Sequence, residues 1–240
     1  MRTLKLCLAY DGTSFAGSQV QKGARTVQGE FEGAWKAVTG LDGERLTLAG
    51  RTDAGVHAQG QVASVRTRTD LDAGRLHGGL SACLPEDLKV LEVADVEPGF
   101  DARHSARWRE YRYDVARTPV YVDTARMDEA ARALVGEHDF SAYSSVGELG
   151  SRGSVRDVLA LRVLRSPGVE SAAMVRIVAD AFLRQMVRRI VSALLLVGRG
   201  KIDVMEIVRG LELRDRSLLP GPAPAGNLTL VRVGYEEYTQ

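Results

Sequence analysis

AGRTDAGVHA, from Ala49 to Ala58, is the stretch around which the chain is organised. Residues 44–49 before it and 61–68 after it alternate apolar and polar side chains, which predicts a strand on each side. Gly50 and Gly55 allow the backbone between those strands to turn sharply. Four polar side chains accompany the glycines: Arg51, Thr52, Asp53 and His57.

Two interpretations of this loop remain open from the residues alone. In one, Asp53 is a turn residue that bonds its own backbone and Arg51 is solvated. In the other, the two flanking strands hold the Asp53 carboxylate in a fixed direction, with a cation two residues away. The second arrangement is what a catalytic site requires.

Composition places the chain among ordinary globular proteins of one or two domains. It has 240 residues, 45% hydrophobic and 26% charged, with a formal net charge of +1. No apolar run approaches transmembrane length, and no segment resembles a signal peptide. Cys7 and Cys83 lie in apolar-periodic segments and are interpreted as reduced core thiols. The four histidines show no metal-ligand spacing. Together with the missing signal peptide and membrane span, this leads us to expect a cytoplasmic protein without metal or cofactor.

The first half of the sequence follows the order β-α-β-β-α-β. Leu4 to Tyr10 predicts a strand, and Val27 to Val38 an amphipathic helix capped by Thr26. After the two strands that flank the central loop, Asp72 caps a second helix that Pro85 ends. Residues 88–96 alternate again and close the unit. This order is typical of a ferredoxin-like unit.

The second half repeats the theme as β-α-β-β-α-α-β. The predicted strands are 107–116, 155–164, 172–179 and 228–235, and the predicted helices are 124–135, 182–197 and 203–213. The Glu97-Pro98-Gly99 punctuation predicts a boundary between domains 1–98 and 99–240. The sequence thus predicts an α+β fold of two ferredoxin-like halves with a cleft between them, a common location for a binding site.

Basic and aromatic residues gather in the second half. Between Arg176 and Lys201 there are six basic side chains and one acid, which predicts either a phosphate-binding patch or a solvated basic face. On the strand 108–113, a period of two places Arg109, Tyr111 and Tyr113 on one face. That face suits a stacked base and its phosphate, although cross-strand aromatic packing is the competing explanation and is usually favoured.

The predicted helix 182–197 has a polar face with Arg188 near its middle. Leu195 lies almost beneath Arg188, two turns further along, which indicates that part of this face is covered. A covered arginine needs an anionic partner, and Asp53 is the candidate of most interest.

Five motifs give the chain a resemblance to a known family. They are YDGT (10–13), GRTDAGVHA (50–58), REYRY (109–113), FLRQMVRRIV (182–191) and APAG (223–226). In this order they resemble the tRNA pseudouridine synthase A family, over residues 4 to 235. The resemblance implies two ferredoxin-like halves joined through a central antiparallel sheet, a homodimer, and isomerisation without a cofactor of uridines 38 to 40 in the anticodon stem-loop of tRNA.

The resemblance also implies roles for single residues. It maps the catalytic aspartate onto Asp53, the tyrosine that stacks on the base onto Tyr111, and the arginine that pairs with the aspartate onto Arg188. Arg51 is expected to help hold the target nucleotide out of its stack. We expect Thr52, His57 and Arg109 to complete the substrate-binding set.

The chain departs from the family pattern at three positions. Ser18 stands where the family often has tryptophan, and Ser192 and Asn227 stand where glycine is usual. Two other functions remain as alternatives: a tRNA-binding or tRNA-folding factor without catalysis, and a hydrolase that uses Asp53 and His57 as an acid–base pair. The residues do not indicate which uridine is preferred, whether Asp53 attacks C1′ or C6, or which base removes the C5 proton.

Overall fold

The computed structural model describes residues 1–115, 122–145, 153–165 and 173–239, which form an α+β structure. The strands are β1 (Arg2–Tyr10), β2 (Thr47–Leu48), β3 (His57–Thr67), β4 (Leu88–Val96), β5 (Trp108–Asp114), β6 (Gly136–Asp139), β7 (Val155–Arg165), β8 (Ala173–Ala179) and β9 (Leu228–Gly234). The helices are α1 (Val27–Thr39), α2 (Ala73–Cys83), α3 (Thr124–Arg132), α4 (Met186–Gly198) and α5 (Val204–Leu213). Among the helices of these ranges, none is long and apolar enough to cross a membrane.

The chain divides into two compact units. The first comprises Met1–Arg107 and Thr229–Glu237, and the second comprises Trp108–Leu228 and Tyr238–Gln240. The chain thus leaves the first unit after Arg107, later than the boundary expected after residue 98, and returns to it with β9. The domain division 1–98 and 99–240 stays a prediction.

The sheet of the first unit is mixed. Its strand order is β4-β1-β3-β9, and β2 pairs with β3. β1 is antiparallel to both β3 and β4, and β2 is antiparallel to β3. β9 instead runs parallel to β3, with His57 opposite Thr229 and Ala58 opposite Leu230. A wholly antiparallel sheet, as the resemblance implied, is therefore wrong for this unit.

The helices of the first unit form where periodicity and caps predicted them. Thr26 caps α1 through its side chain, which accepts a hydrogen bond from the Gly29 amide. Trp35 is 1% exposed and stacks on Phe31, so it belongs to the core. In α2, Leu76 and Leu80 are buried as expected.

The interpretation of both cysteines as core thiols is only partly right. Cys7 and Cys83 are both free, but Cys83 is exposed at the end of α2 and Cys7 is only half-buried. Helical spacing placed Cys83 on the apolar face with Leu80, whereas it is the last residue of α2 and is exposed there.

The second unit contains an antiparallel sheet in the order β5-β8-β7-β6. The pattern 136–139, Gly-Glu-His-Asp, has no apolar alternation, and for that reason β6 was missed. The helix expected from residue 182 begins at Met186, because Gln185 takes a left-handed φ of 62°. Asp123, not Thr124, caps α3. The predicted strand ends Ala116 and Ala172 lie outside the described residues.

Candidate active site

The loop between β2 and β3 presents Asp53 on a tight turn. The Val56 amide donates to the Asp53 carbonyl oxygen at 3.1 Å, and Gly55 has a φ of 81°. A positive φ at the third of four residues is characteristic of a type II turn, which favours glycine there. Asp53 itself remains partly exposed. The carboxylate-bearing residue is therefore held by its backbone and keeps part of its surface exposed.

Thr52 anchors the turn to the first unit. Its amide donates to the Ser18 hydroxyl at 2.9 Å, and its carbonyl oxygen accepts from the Ser18 amide at 3.1 Å. Its hydroxyl lies 2.9 Å from the hydroxyl of Tyr10. Thr52 is only 6% exposed, and its amide, carbonyl and hydroxyl groups each have a partner within the protein. The residue immediately before Asp53 is thus fixed on three sides.

Gln61 fixes the same loop one residue before Arg51. Its side-chain nitrogen donates to the Gly50 carbonyl oxygen at 2.8 Å and lies 3.3 Å from the Tyr10 hydroxyl. Gln61 is fully buried on β3, although it is polar. Arg51, between the two anchored residues, is exposed. Its side chain is directed to solvent from a rigid backbone.

His57 supports the loop from the turn at residues 10–13. Its Nδ1 atom lies 3.1 Å from both the Gly12 amide nitrogen and a carboxylate oxygen of Asp11. An amide can only donate, so Nδ1 accepts the bond from Gly12. A Cβ atom on Gly12 would overlap the Val56 carbonyl oxygen. Only glycine allows the two segments to approach this closely.

In the second unit, β5 carries the tyrosine face. Arg109, Tyr111 and Tyr113 are all buried, and from Tyr111 to Asp114 buried and exposed residues alternate as predicted. Tyr111 is 7% exposed and meets the Phe182 ring edge to face, with ring centroids 5.2 Å apart. The Arg109 guanidinium donates to the Asp180 carbonyl oxygen at 2.7 Å. The tyrosine ring is thus held by packing and Arg109 by a backbone acceptor.

The opposite side of β5 carries an ionic cluster. Glu110 is 2% exposed and accepts two bonds from Arg176, both at 3.1 Å, and a third from Arg112 at 3.1 Å. Burial alone would raise the pKa of Glu110, but the two arginines outweigh it and hold the pKa below its ordinary value. Arg176 belonged to the predicted basic patch, and here it is a structural ion-pair partner.

Arg188 lies in the first turn of α4 and is tied to the segment 219–224. Its Nε atom donates to the Ala223 carbonyl oxygen at 2.7 Å, and the Ala223 amide donates to the Arg188 carbonyl oxygen at 3.0 Å. The neighbouring Arg189 is 8% exposed and donates to the Pro220 carbonyl oxygen at 3.1 Å. Burial lowers the pKa of Arg189, and Arg216 lowers it further.

Helix stability does not account for arginines in this position. Cations are disfavoured at a helix N-terminus, where the helix dipole is positive. Leu195, further along α4, is 6% exposed, which confirms that this part of the helix face is covered. The polar arc expected around Arg188 is therefore narrower than predicted, because Arg189 is buried as well. The helix dipole therefore does not favour these two arginines, and they are held instead by the carbonyl oxygens of Ala223 and Pro220.

Each unit brings together part of the predicted site. The first holds Arg51, Thr52, Asp53 and His57 on one loop, and the second holds Arg109 and Tyr111 on β5 and Arg188 on α4. Sequence reasoning missed three residues that hold the loop: Tyr10, Ser18 and Gln61. Gln61 had one signal, a polar residue within an apolar strand. Ser18 had none, since nothing local links it to Thr52. Within the described ranges, His, Cys, Asp and Glu form no group of three suited to a metal ion.

Comparison with known proteins matches this chain to one family. The sequence model described as tRNA pseudouridine synthase matches residues 6–105 and 130–236. The chain is 45% identical to a tRNA pseudouridine synthase A of Chloroflexus aurantiacus, covering 98% of this chain and 89% of the relative. It is 43% identical to the enzyme of that name from a Roseiflexus species, covering 99% and 92%, and 36% identical to that from Pseudothermotoga lettingae, covering 98% and 100%.

Proposed function

This chain belongs to the tRNA pseudouridine synthase family, and we propose that it acts on uridines 38 to 40 of the anticodon stem-loop with Asp53 as its catalytic carboxylate. The family membership makes it an isomerase that converts uridine in tRNA to pseudouridine. The position in the tRNA and the residue roles are the proposal.

One observation carries the role of Asp53. The preceding residue, Thr52, has its amide, carbonyl and hydroxyl groups all bound within the protein, while Asp53 remains partly exposed. An anchored backbone with an accessible carboxylate is suited to a reaction in which an acidic group must meet a small target at a fixed distance. A solvated turn residue needs no such anchoring.

The reaction rearranges the uridine without gain or loss of atoms. The N1–C1′ glycosidic bond breaks, the base turns, C5 joins C1′, the C5 proton leaves, and N1 gains a proton. The target nucleotide must first leave the helical stack, which costs on the order of a few kcal/mol. An ionised carboxylate next to C1′ and C6 then acts as a nucleophile or stabilises a developing cation. We assign this task to Asp53.

The second unit supplies the other groups. We propose that Arg188 favours the ionised form of the catalytic carboxylate, as a neighbouring cation does. Its geometry supports this role, because Nε is held by the Ala223 carbonyl oxygen. Tyr111, fixed by the Phe182 ring, provides the aromatic surface on which the base stacks.

The remaining predicted residues serve the substrate in different ways. Arg51 is exposed and is proposed to contact the target nucleotide directly. Thr52 and Arg109 are buried, so we propose that they act by fixing the residues that touch the RNA. His57 accepts a bond from the Gly12 amide and orients the turn at residues 10–13 beside the loop.

The finer organisation follows the family as well. We propose that the halves are ferredoxin-like, for which the order β4-β1-β3-β2 in the first unit is the supporting observation. We also propose that the protein works as a homodimer in the cytoplasm. Light scattering coupled to size exclusion measures the dimer directly, and a monomeric mass at working concentration would contradict it.

The decisive experiment is tritium release from tRNA labelled at uridine C5, with wild type and Asp53→Asn side by side. Pseudouridine has the same mass as uridine, so release at C5 is the more direct readout. Asp72→Asn is the matched control, because it makes the same chemical change in the same unit and asparagine caps a helix as well as aspartate does. We expect release by wild type and Asp72→Asn, and none by Asp53→Asn.

The substrates decide the position in the tRNA. Transcripts with uridine at only one of positions 38, 39 and 40, and one with none, locate the release. Release from the transcript without these uridines would contradict the anticodon assignment. Salt-sensitive binding without release by wild type would favour the binding protein, and free uracil with an abasic product would favour the hydrolase.

A further inference from the structure

Ser18 is joined to Thr52 by two hydrogen bonds of opposite direction. The Ser18 amide donates to the Thr52 carbonyl oxygen at 3.1 Å, and the Thr52 amide donates to the Ser18 hydroxyl at 2.9 Å. Ser18 has no exposed surface. The first bond is independent of the side chain, whereas the second exists only because residue 18 carries a hydroxyl. One side-chain atom thus holds the peptide between Arg51 and Thr52, and the Ser18 amide holds the next peptide, directly before Asp53.

The backbone around Ser18 is shaped for this contact. Gly17 has a φ of 105°, a conformation that favours glycine, and a Cβ atom there would lie 3.1 Å from the Thr52 carbonyl oxygen. The Gln28 amide donates to the Ser18 carbonyl oxygen at 2.9 Å, so the first turn of α1 fixes Ser18 in turn. Ser18 therefore links the first turn of α1 to the loop that carries Asp53 by hydrogen bonds on both sides.

Gln61 supplies a second, separate attachment. It is fully buried, and its side-chain nitrogen donates to the Gly50 carbonyl oxygen at 2.8 Å. Ser18 and Gln61 thus hold the loop at Thr52 and Gly50, on either side of Arg51. Because the two attachments lie two residues apart in the chain, at Gly50 and Thr52, they restrict rotation of the loop about either one.

We propose that Ser18 is a positioning residue for Asp53: through the Thr52 amide, its hydroxyl sets the direction in which the carboxylate meets the uridine. This inference rests on the proposed catalytic role of Asp53. Small displacements of reacting groups are costly, on the order of 100-fold in rate for about 1 Å. Loss of the Ser18 hydroxyl leaves the Thr52 amide buried without its acceptor and frees the loop to shift.

Ser18→Ala tests the proposal, with Ser64→Ala as the matched control. Ser64 is a buried serine of the same unit whose hydroxyl accepts from the Ala102 amide at 3.0 Å. Both variants lose one bond from a backbone amide to a buried hydroxyl, so we expect similar decreases in melting temperature. We expect kcat for tritium release to fall about 10- to 100-fold in Ser18→Ala alone, with KM for tRNA unchanged.

Gln61→Met provides a second variant, since it keeps the side-chain length and removes the bond to Gly50. It should show the same fall in kcat without a change in KM. Equal kcat in Ser18→Ala and Ser64→Ala would overturn the positioning role, as would a loss expressed only in KM. Asp53→Asn, assayed in parallel, separates the two claims: its inactivity upholds the proposed function whatever Ser18→Ala shows, and its activity would overturn both.

Discussion

Arg188 and Ala223 are joined by two hydrogen bonds of opposite direction. The Arg188 side-chain Nε donates to the Ala223 carbonyl oxygen at 2.7 Å, and the Ala223 amide donates to the Arg188 carbonyl oxygen at 3.0 Å. The Nε side of the guanidinium group is therefore held by a backbone segment. Arg189 ties the same segment at Pro220. The backbone of the proline-rich segment 217–226 thus supports the first turn of α4 through the carbonyl oxygens of Pro220 and Ala223.

Arg188→Lys is expected to lower tRNA turnover about 100-fold while leaving the melting temperature nearly unchanged. Lysine keeps the charge but has no Nε–H at the position that reaches the Ala223 carbonyl oxygen, so its ammonium group is not held in one direction. Tritium release and thermal unfolding measure the two effects. Arg184→Lys is the control, because Arg184 is exposed just before α4. Near-normal turnover in Arg188→Lys would show that charge, not orientation, matters here, and an equal loss in Arg184→Lys would show that the loss is not specific to the bond with Ala223.

Gly12→Ala is expected to destabilise the protein by more than about 3 kcal/mol, because the new Cβ atom would overlap the Val56 carbonyl oxygen next to the loop. Gly33→Ala in α1 is the control. Its Cβ atom would meet nothing within 4 Å, so we expect a gain of up to about 1 kcal/mol from helix propensity. Urea unfolding of both variants measures these changes. A stable Gly12→Ala protein would contradict the close approach of residues 12 and 56.

Glu110→Gln is expected to lower the free energy of unfolding at pH 7 by about 1–3 kcal/mol, because Arg176 loses its carboxylate partner. The folded pKa of Glu110 lies below its ordinary value, so its contribution is present above roughly pH 5 and is lost as the pH falls below about 4. The difference in stability between wild type and variant should therefore shrink in acid.

Unfolding curves at pH 7 and pH 3.5 check this dependence. Glu137→Gln, an exposed position on β6 of the same sheet, serves as the control and should change stability by less than about 0.5 kcal/mol. A wild-type advantage over Glu110→Gln that persists unchanged at pH 3.5 would contradict the ionic role of Glu110.

Arg51→Ala is expected to weaken tRNA binding and to reduce the slope of log K against log salt by about 1, the change expected for one phosphate contact. Because Arg51 is exposed, stability should change by less than about 0.5 kcal/mol. Arg75→Ala is the control, an arginine of α2 with 76% of its side chain exposed. Filter binding across a range of salt concentrations measures both. An unchanged slope for Arg51→Ala would remove this residue from the RNA contact.

Local sequence determined most of the secondary structure. Apolar spacing and the caps Thr26 and Asp72 predicted α1 and α2 because a helix depends on residues three or four positions apart. The Asp53 loop was also predicted from local sequence, because glycines and polar residues lie there between two alternating segments. β6, with four residues and no apolar alternation, gave no such signal. The left-handed backbone conformation of Gln185, after which α4 begins, had no local signal either.

Only the tertiary structure decided which distant residues meet. β9 comes from the end of the chain and pairs in parallel with β3 in the first unit, a choice that depends on which apolar faces are buried together. The Ser18 hydroxyl meets the Thr52 amide and the Arg188 side chain meets the Ala223 carbonyl oxygen, and these backbone partners carry no sequence signal of their own. The sequence alone therefore supplied the candidates for the side chains that carry chemistry, by residue type and spacing. What holds them in place depends on long-range hydrogen bonds, for which the chain has no local code.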